Sequence, residues 1–160
     1  AFWPRAAAPE PLSYALEAPA GAQIVPDHAL TGGSQISPDG KWLAFTATSE
    51  GKTSLWIRRV DSLESQMVGG SEGAYSPFWS PDSASIGFFA LGALRRADRA
   101  GGGARTLAHT PAGDGGAWNS AGIIVFSRSA TGGLYQVSAE GGEPQPVTTL
   151  DPARGEFSHT

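Results

Sequence analysis

The chain repeats itself. Ser37-Pro38-Asp39-Gly40 is followed by Lys41-Trp42-Leu43-Ala44-Phe45, and the pattern returns 43 residues on as Ser80-Pro81-Asp82-Ser83 before Ala84-Ser85-Ile86-Gly87-Phe88. A third copy, Asn119-Ser120-Ala121-Gly122 before Ile123-Ile124-Val125-Phe126, follows at an offset of 39. A separate landmark, Gly101-Gly102, recurs as Gly141-Gly142 at an offset of 40. Two independent landmarks thus share one period, and a period near 40 built of strands selects a wheel of four-stranded blades.

The turn has a mechanism. Pro presets φ at its first central position, Asp bonds its own downstream backbone, and Gly takes φ > 0 without a steric penalty. In the strand that follows, Leu43, Phe45 and Ala47 alternate with Trp42, Ala44 and Thr46. Both faces are largely apolar, as in a strand covered on both sides by neighbouring sheets.

With 22 Gly and 12 Pro in 160 residues, the chain has too many breakers for long helices. The expected fold is all-β, a partial β-propeller of about three four-stranded antiparallel blades plus the start of a fourth. In the first blade, Gln35-Ile36 leads into the turn, and strands follow over Lys41 to Thr48, Ser54 to Val60 and Glu64 to Val68. The second has Ala74 to Trp79, Ala84 to Ala90, Ala93 to Asp98 and Ala104 to Ala108. The third has Gly116 to Asn119, Ile123 to Ser127, Gly133 to Ser138 and Gln145 to Thr149, and a fourth unit begins near Glu156-Phe157-Ser158-His159.

Residues 1–12 read as a Pro/Ala-rich linker. Phe2 and Trp3 beside Arg5 fit the end of a membrane span cut away, and equally an arbitrary boundary. Residues 13–27 hold a first strand and its connection, with an edge strand over Leu12 to Ala18, and the blades occupy 28–160. Propellers close with about 4–8 blades, so a piece of a longer protein is expected. An open blade face of several hundred Å² forfeits on the order of 10 kcal/mol, so the piece alone should be poorly stable.

Charged residues are 16% of the chain and the net charge is −4, which gives no attraction for nucleic acid or an anionic membrane. The absence of cysteine removes disulfides and thiolate chemistry. Gly69-Gly70-Ser71-Glu72-Gly73 matches the nucleophile-elbow pattern G-x-S-x-G, but Pro77 follows where that motif needs a helix. Gly51-Lys52-Thr53 imitates the end of a phosphate-binding loop but has Thr46 where the first Gly belongs, so it reads as a hairpin tip.

His28, His109 and His159 stand apart from one another and from any acidic cluster, so no metal or other cofactor is expected. Asp39 and Asp82 are expected to hold turns. Arg58, Arg59, Arg95, Arg96, Arg99 and Arg105 fall on third strands or the turns after them and are expected at solvent-facing edges. Trp42, Trp56, Trp79 and Trp118 recur with the blades and are expected to pack between them.

Over residues 30–160 these repeats resemble TolB-like, WD-like β-propellers. Leu55-Trp56-Ile57-Arg58-Arg59-Val60-Asp61-Ser62-Leu63, Pro77-Phe78-Trp79-Ser80-Pro81-Asp82-Ser83, Gly87-Phe88-Phe89-Ala90 and Leu150-Asp151-Pro152-Ala153-Arg154-Gly155-Glu156 resemble the extracytoplasmic propellers of bacterial membrane-anchored serine/threonine protein kinases. The resemblance implies a non-catalytic sensor or docking module on the periplasmic side, binding a protein or small ligand at the propeller face. It also implies a tether through an upstream span and further blades of a parent chain, with no membrane contact by this segment. The sequence departs from the pattern where Asn119-Ser120-Ala121-Gly122 lacks the Pro and Asp of the turn, and where Leu91 takes a turn position that favours Asp or Asn. No kinase motif is present. Two alternatives stay open, the gating propeller of a prolyl-oligopeptidase-like hydrolase and a periplasmic TolB-type interaction protein.

Overall fold

The computed structural model describes residues 16–25, 33–129, 131–156 and 158. The linker, His28, Phe157 and His159 lie outside them. Among the described residues there are thirteen strands and one 3₁₀ turn, Pro152–Arg154.

The strands form three antiparallel sheets in chain order. The first contains β1 (Ala22–Ile24), β2 (Ser34–Ile36), β3 (Trp42–Ser49), β4 (Lys52–Arg59) and β5 (Ser65–Met67). The second contains β6 (Tyr75–Trp79), β7 (Ser85–Ala90), β8 (Ala93–Asp98) and β9 (Ala104–His109). The third contains β10 (Asp114–Trp118), β11 (Ile123–Ser127), β12 (Leu134–Ser138) and β13 (Gln145–Pro146). β6 packs against both β2 and β10, so the first strands of the blades adjoin. This is the partial propeller that the repeats imply, with each strand close to its expected bounds except β13, which is shorter.

Of the edge strand expected over Leu12 to Ala18, residues 12–15 lie outside the described residues and 16–18 carry no strand; among the described residues the first strand is β1, and it shares an edge with β2. Ile24 pairs with Ala47 and Ser34 with Phe45, so β1 and β2 lie end to end along β3 and together fill the place of one first strand.

The repeated turns are built alike. Ser37 Oγ donates to Asp39 Oδ1 and accepts from the Trp42 amide, while Asp39 Oδ1 accepts from the Lys41 amide. Ser80, Asp82, Ala84 and Ser85 repeat this arrangement. In the third copy Asn119 does both jobs: its Oδ1 accepts from the amides of Ala121 and Ile123 at 3.0 and 2.9 Å. One side-chain amide therefore replaces the Ser/Asp pair, and the turn closes one residue sooner. Gly40, Ser83 and Gly122 occupy the positive-φ position, at 71°, 61° and 76°.

The hairpin tips Glu50-Gly51 and Leu91-Gly92 both place two residues at positive φ between directly paired strands, the type I′ arrangement. Leu91 adopts it despite its branched side chain, which is 77% exposed.

Two cores lie between the blades. Ala44, Leu55 and Ile57 meet Trp79, Ile86 and Phe88; Phe78, Phe89 and Leu94 meet Ile124, Phe126 and Val137. Each fully buried side chain of this size contributes about 1.5–3 kcal/mol. The opposite face of the first blade, Leu43, Phe45 and Ala47, is buried, with Leu16, Ala22, Ile24 and Trp56 packed on it.

Candidate functional site

All three first strands lose register at the same level. In the second blade, Tyr75 faces Phe89 and Phe78 faces Gly87, which leaves one extra residue at Ser76-Pro77. In the third, Asp114 faces Ser127 and Gly116 faces Phe126, and Gly115 is extra. In the first, the break falls between β1 and β2, beside the same part of β3. Pro within a strand and Gly-Gly within a strand each mark such a bulge, since one lacks the ladder amide and the other tolerates positive φ. Ser76 has φ 46° and Gly115 φ 58°.

The breaks open a cleft of about 260 Å³ lined by Gln35, Ser76, Pro77, Phe78, Gly115 and Gly116. Ser76 Oγ donates to Asp114 Oδ1 at 2.6 Å across the second and third blades, and the Gly115 amide donates to the same oxygen at 2.8 Å. Tyr75 stacks on Phe89 with ring centroids 5.7 Å apart. Loss of water around its hydroxyl, then the charge of Asp114, pushes its ionisation above the ordinary phenol range. The cleft therefore offers the Ser76 hydroxyl and the Gln35 side chain on adjoining blades beside Pro77 and Phe78, with the Asp114 carboxylate bonded to Ser76. Sequence reasoning missed this contact; Pro77 and Gly115-Gly116, breakers within first strands, are the signals that could have found it.

A second cleft, about 320 Å³, lies at the repeated turns between the second and third blades. Arg96 bridges Asp98 at 3.0 Å and Glu140 at 2.9 Å, and its guanidinium stands 5.3 Å from the Trp118 ring centre. Arg105 meets the other Glu140 oxygen at 2.8 Å. Glu140 is held below the usual carboxylate range, by Arg105 first and then by Arg96.

Arg59 and Arg105 are exposed as expected, whereas Arg58, Arg95, Arg96 and Arg99 are not. Arg58 is buried and donates to the Ser62 carbonyl; Arg95 is half-buried and donates to the Ala104 carbonyl of its own blade, and Arg96 is half-buried against the third blade. Their long stems cover apolar surface while the heads find backbone or carboxylate partners. Arg59 alone of these four on third strands is exposed, paired with Asp61. Arg99 stacks 4.4 Å from the Trp42 ring centre. Trp79 packs between blades and donates its Nε1 proton to the Gln35 carbonyl at 2.9 Å, whereas Trp56 packs on the opposite face of the first blade.

Ser71 is fully buried. Its hydroxyl accepts from the Leu55 amide at 3.0 Å and donates to the Val68 carbonyl at 2.6 Å, fixing the passage from one blade to the next. Thr110, also fully buried, holds the corresponding place before the third blade. Lys52 and Thr53 begin β4 after the Glu50-Gly51 tip. His109 ends β9, exposed, and among the described residues no three His, Asp or Glu side chains gather as a metal site. Nor, among them, is any helix long and apolar enough to cross a membrane.

No protein-family model and no curated protein matches the chain. Solved structures do. A TolB of Agrobacterium tumefaciens superposes with a TM-score of 0.64 at 22% identity, over 73% of this chain and 46% of that one. TolB of Acinetobacter baumannii gives 0.57 at 15%, over 72% and 31%. A puromycin hydrolase gives 0.55 at 22%, over 76% and 22%. The chain spans less than half the length of each, and what the likeness shows is the fold.

Proposed function

We propose that this chain is a non-catalytic propeller module that docks a protein or small ligand at the cleft opened by the first-strand breaks, as the extracytoplasmic sensor or docking part of a bacterial membrane serine/threonine kinase. The observation that carries the docking role is the shared break of the first strands, which brings Gln35 and Ser76 of adjoining blades to one cleft beside Pro77 and Phe78, with Ser76 held by Asp114 of the third blade. The burial of Ser71, with its hydroxyl engaged on both sides, supports the non-catalytic reading. The kinase connection rests on the resemblance of the Leu55 to Leu63, Pro77 to Ser83 and Leu150 to Glu156 phrases.

A second reading, the gating propeller of a hydrolase, is favoured by the puromycin hydrolase likeness. Sequencing the gene outward from both ends separates them. A kinase domain and one apolar span upstream is the expected result. A hydrolase domain downstream, or a secretion signal with neither domain, would overturn the kinase assignment. The chain itself should show no phosphotransfer; measurable transfer contradicts the non-catalytic reading.

A further inference from the structure

The turns of the first and second blades are fastened to each other: Ser83 Oγ accepts from the Asp39 amide at 3.1 Å. In the third turn the place of Ser83 is held by Gly122, with positive φ at both positions, 61° and 76°. Glycine brings no hydroxyl, so the Asp82 amide has no matching acceptor. The second and third turns instead line a cleft of about 320 Å³.

The third turn differs in a second way. Asn119 Oδ1 accepts from the amides of Ala121 and Ile123, which fixes the side chain and makes Nδ2 its outer end. Among the described residues nothing accepts the Nδ2 protons. Asp82, on the facing turn, is exposed and takes both of its turn bonds on Oδ1, which keeps Oδ2 open to a further donor. Trp118 lines the same cleft, half-buried. The charge of Arg96 is matched by Asp98 and Glu140, and that of Arg105 by Glu140.

These groups discriminate between ligands. An ammonium only donates and leaves the Asn119 protons without an acceptor, whereas a carboxylate or phosphate only accepts and is repelled by Asp82. A hydroxyl does both. Two neighbouring hydroxyls on a ring meet an amide and a carboxylate together, while the C–H face of the ring rests on the indole. A peptide backbone also carries a donor and an acceptor, but it is held by a ladder along a strand edge. This cleft is lined chiefly by turns and strand ends.

We infer that the cleft between the second and third turns is a carbohydrate-binding site. It takes a neutral pyranose by two adjacent ring hydroxyls, held between Asn119 Nδ2 and Asp82 Oδ2, with Trp118 against the ring. It shares no lining residue with the cleft at the first-strand breaks and does not depend on what that cleft holds.

The probes are the methyl pyranosides of glucose, galactose and mannose, which differ in which neighbouring hydroxyls are equatorial. Titration followed by proton–nitrogen NMR should shift the Asn119 side-chain amide and the Trp118 indole saturably with at least one of the three. Asn119→Asp keeps an oxygen for both turn amides and removes the donor. Gly122→Ser supplies the hydroxyl that Ser83 supplies in the second turn, at a position where an added Cβ meets nothing within 4 Å. Each variant should weaken binding by at least about tenfold, with a thermal transition showing that it folds. No saturable shift with any of the three sugars overturns the inference. Binding that either folded variant retains undiminished overturns it as well, because the sugar then sits elsewhere. Shifts with trialanine amide in place of the pyranosides would make the cleft a peptide site and overturn it too.

Discussion

The Phe78 ring lies against Gly116 of the next blade so closely that a Cβ added there would fall 2.3 Å from it. The same ring covers Gly87, its cross-strand partner, where an added Cβ would also lie 2.3 Å away. One aromatic side chain therefore occupies the space left by two missing side chains on two sheets. Gly116→Ala and Gly87→Ala should each destabilise the chain by about 1–3 kcal/mol through overpacking. Denaturant midpoints measure this, and a neutral Gly116→Ala would mean that the blades are not in contact at this point.

Much of the blade order was legible because the turn and the strand after it encode each other. Ser37 and Ser80 announce their turns, and Leu43, Ile86 and Ile124 follow in register. What was illegible depended on partners distant in sequence. Asn119 conceals a Ser/Asp function in one residue, Arg96 reads as an edge charge until the third blade covers it, and the Ser76–Asp114 contact joins two bulges that local pattern does not align. β1 was missed because its partner segment, Ala47–Ser49, is already accounted for by a hairpin.

Ser71 should behave as a structural hydroxyl. Its removal in Ser71→Ala leaves the Leu55 amide without its side-chain acceptor, and should lower stability by about 1–3 kcal/mol. The intact chain should not react with a fluorophosphonate probe for activated serine. Labelling at Ser71 would restore the catalytic reading.

The paired turns should confer acid sensitivity. Asp39 and Asp82 are held below their ordinary value of 3.8, chiefly by the hydroxyls of Ser37 and Ser80 and then by the amides of Lys41 and Ala84. With folded values depressed, their contribution is complete above the unfolded-state value and is lost as pH falls through the lower folded values. Asn supplies the same acceptor atom without titrating, as Asn119 already does. The double variant Asp39→Asn, Asp82→Asn should therefore lose less thermal stability than the parent between neutral pH and about pH 3. Parallel pH profiles would contradict the role assigned to the two carboxylates.

Leu91 holds a left-handed backbone, φ 51°, at an exposed hairpin tip. For a residue of this kind the conformation costs roughly 1–2 kcal/mol, and Asn tolerates it better. Leu91→Asn should raise stability by about 0.5–1 kcal/mol in urea unfolding. A loss would show that the Leu91 side chain, which lies over Gly73, contributes more by packing than its backbone gives up.

Stacking of separate sheets about a common line is measured most directly by proton NMR at the Phe78 ring. Cross-relaxation from the ring to the α-protons of both Gly87 and Gly116 is expected, with both resonances displaced by the ring current. Contact with Gly87 and none with Gly116 would leave an isolated hairpin in place of adjoining blades, and the arrangement described here would not hold.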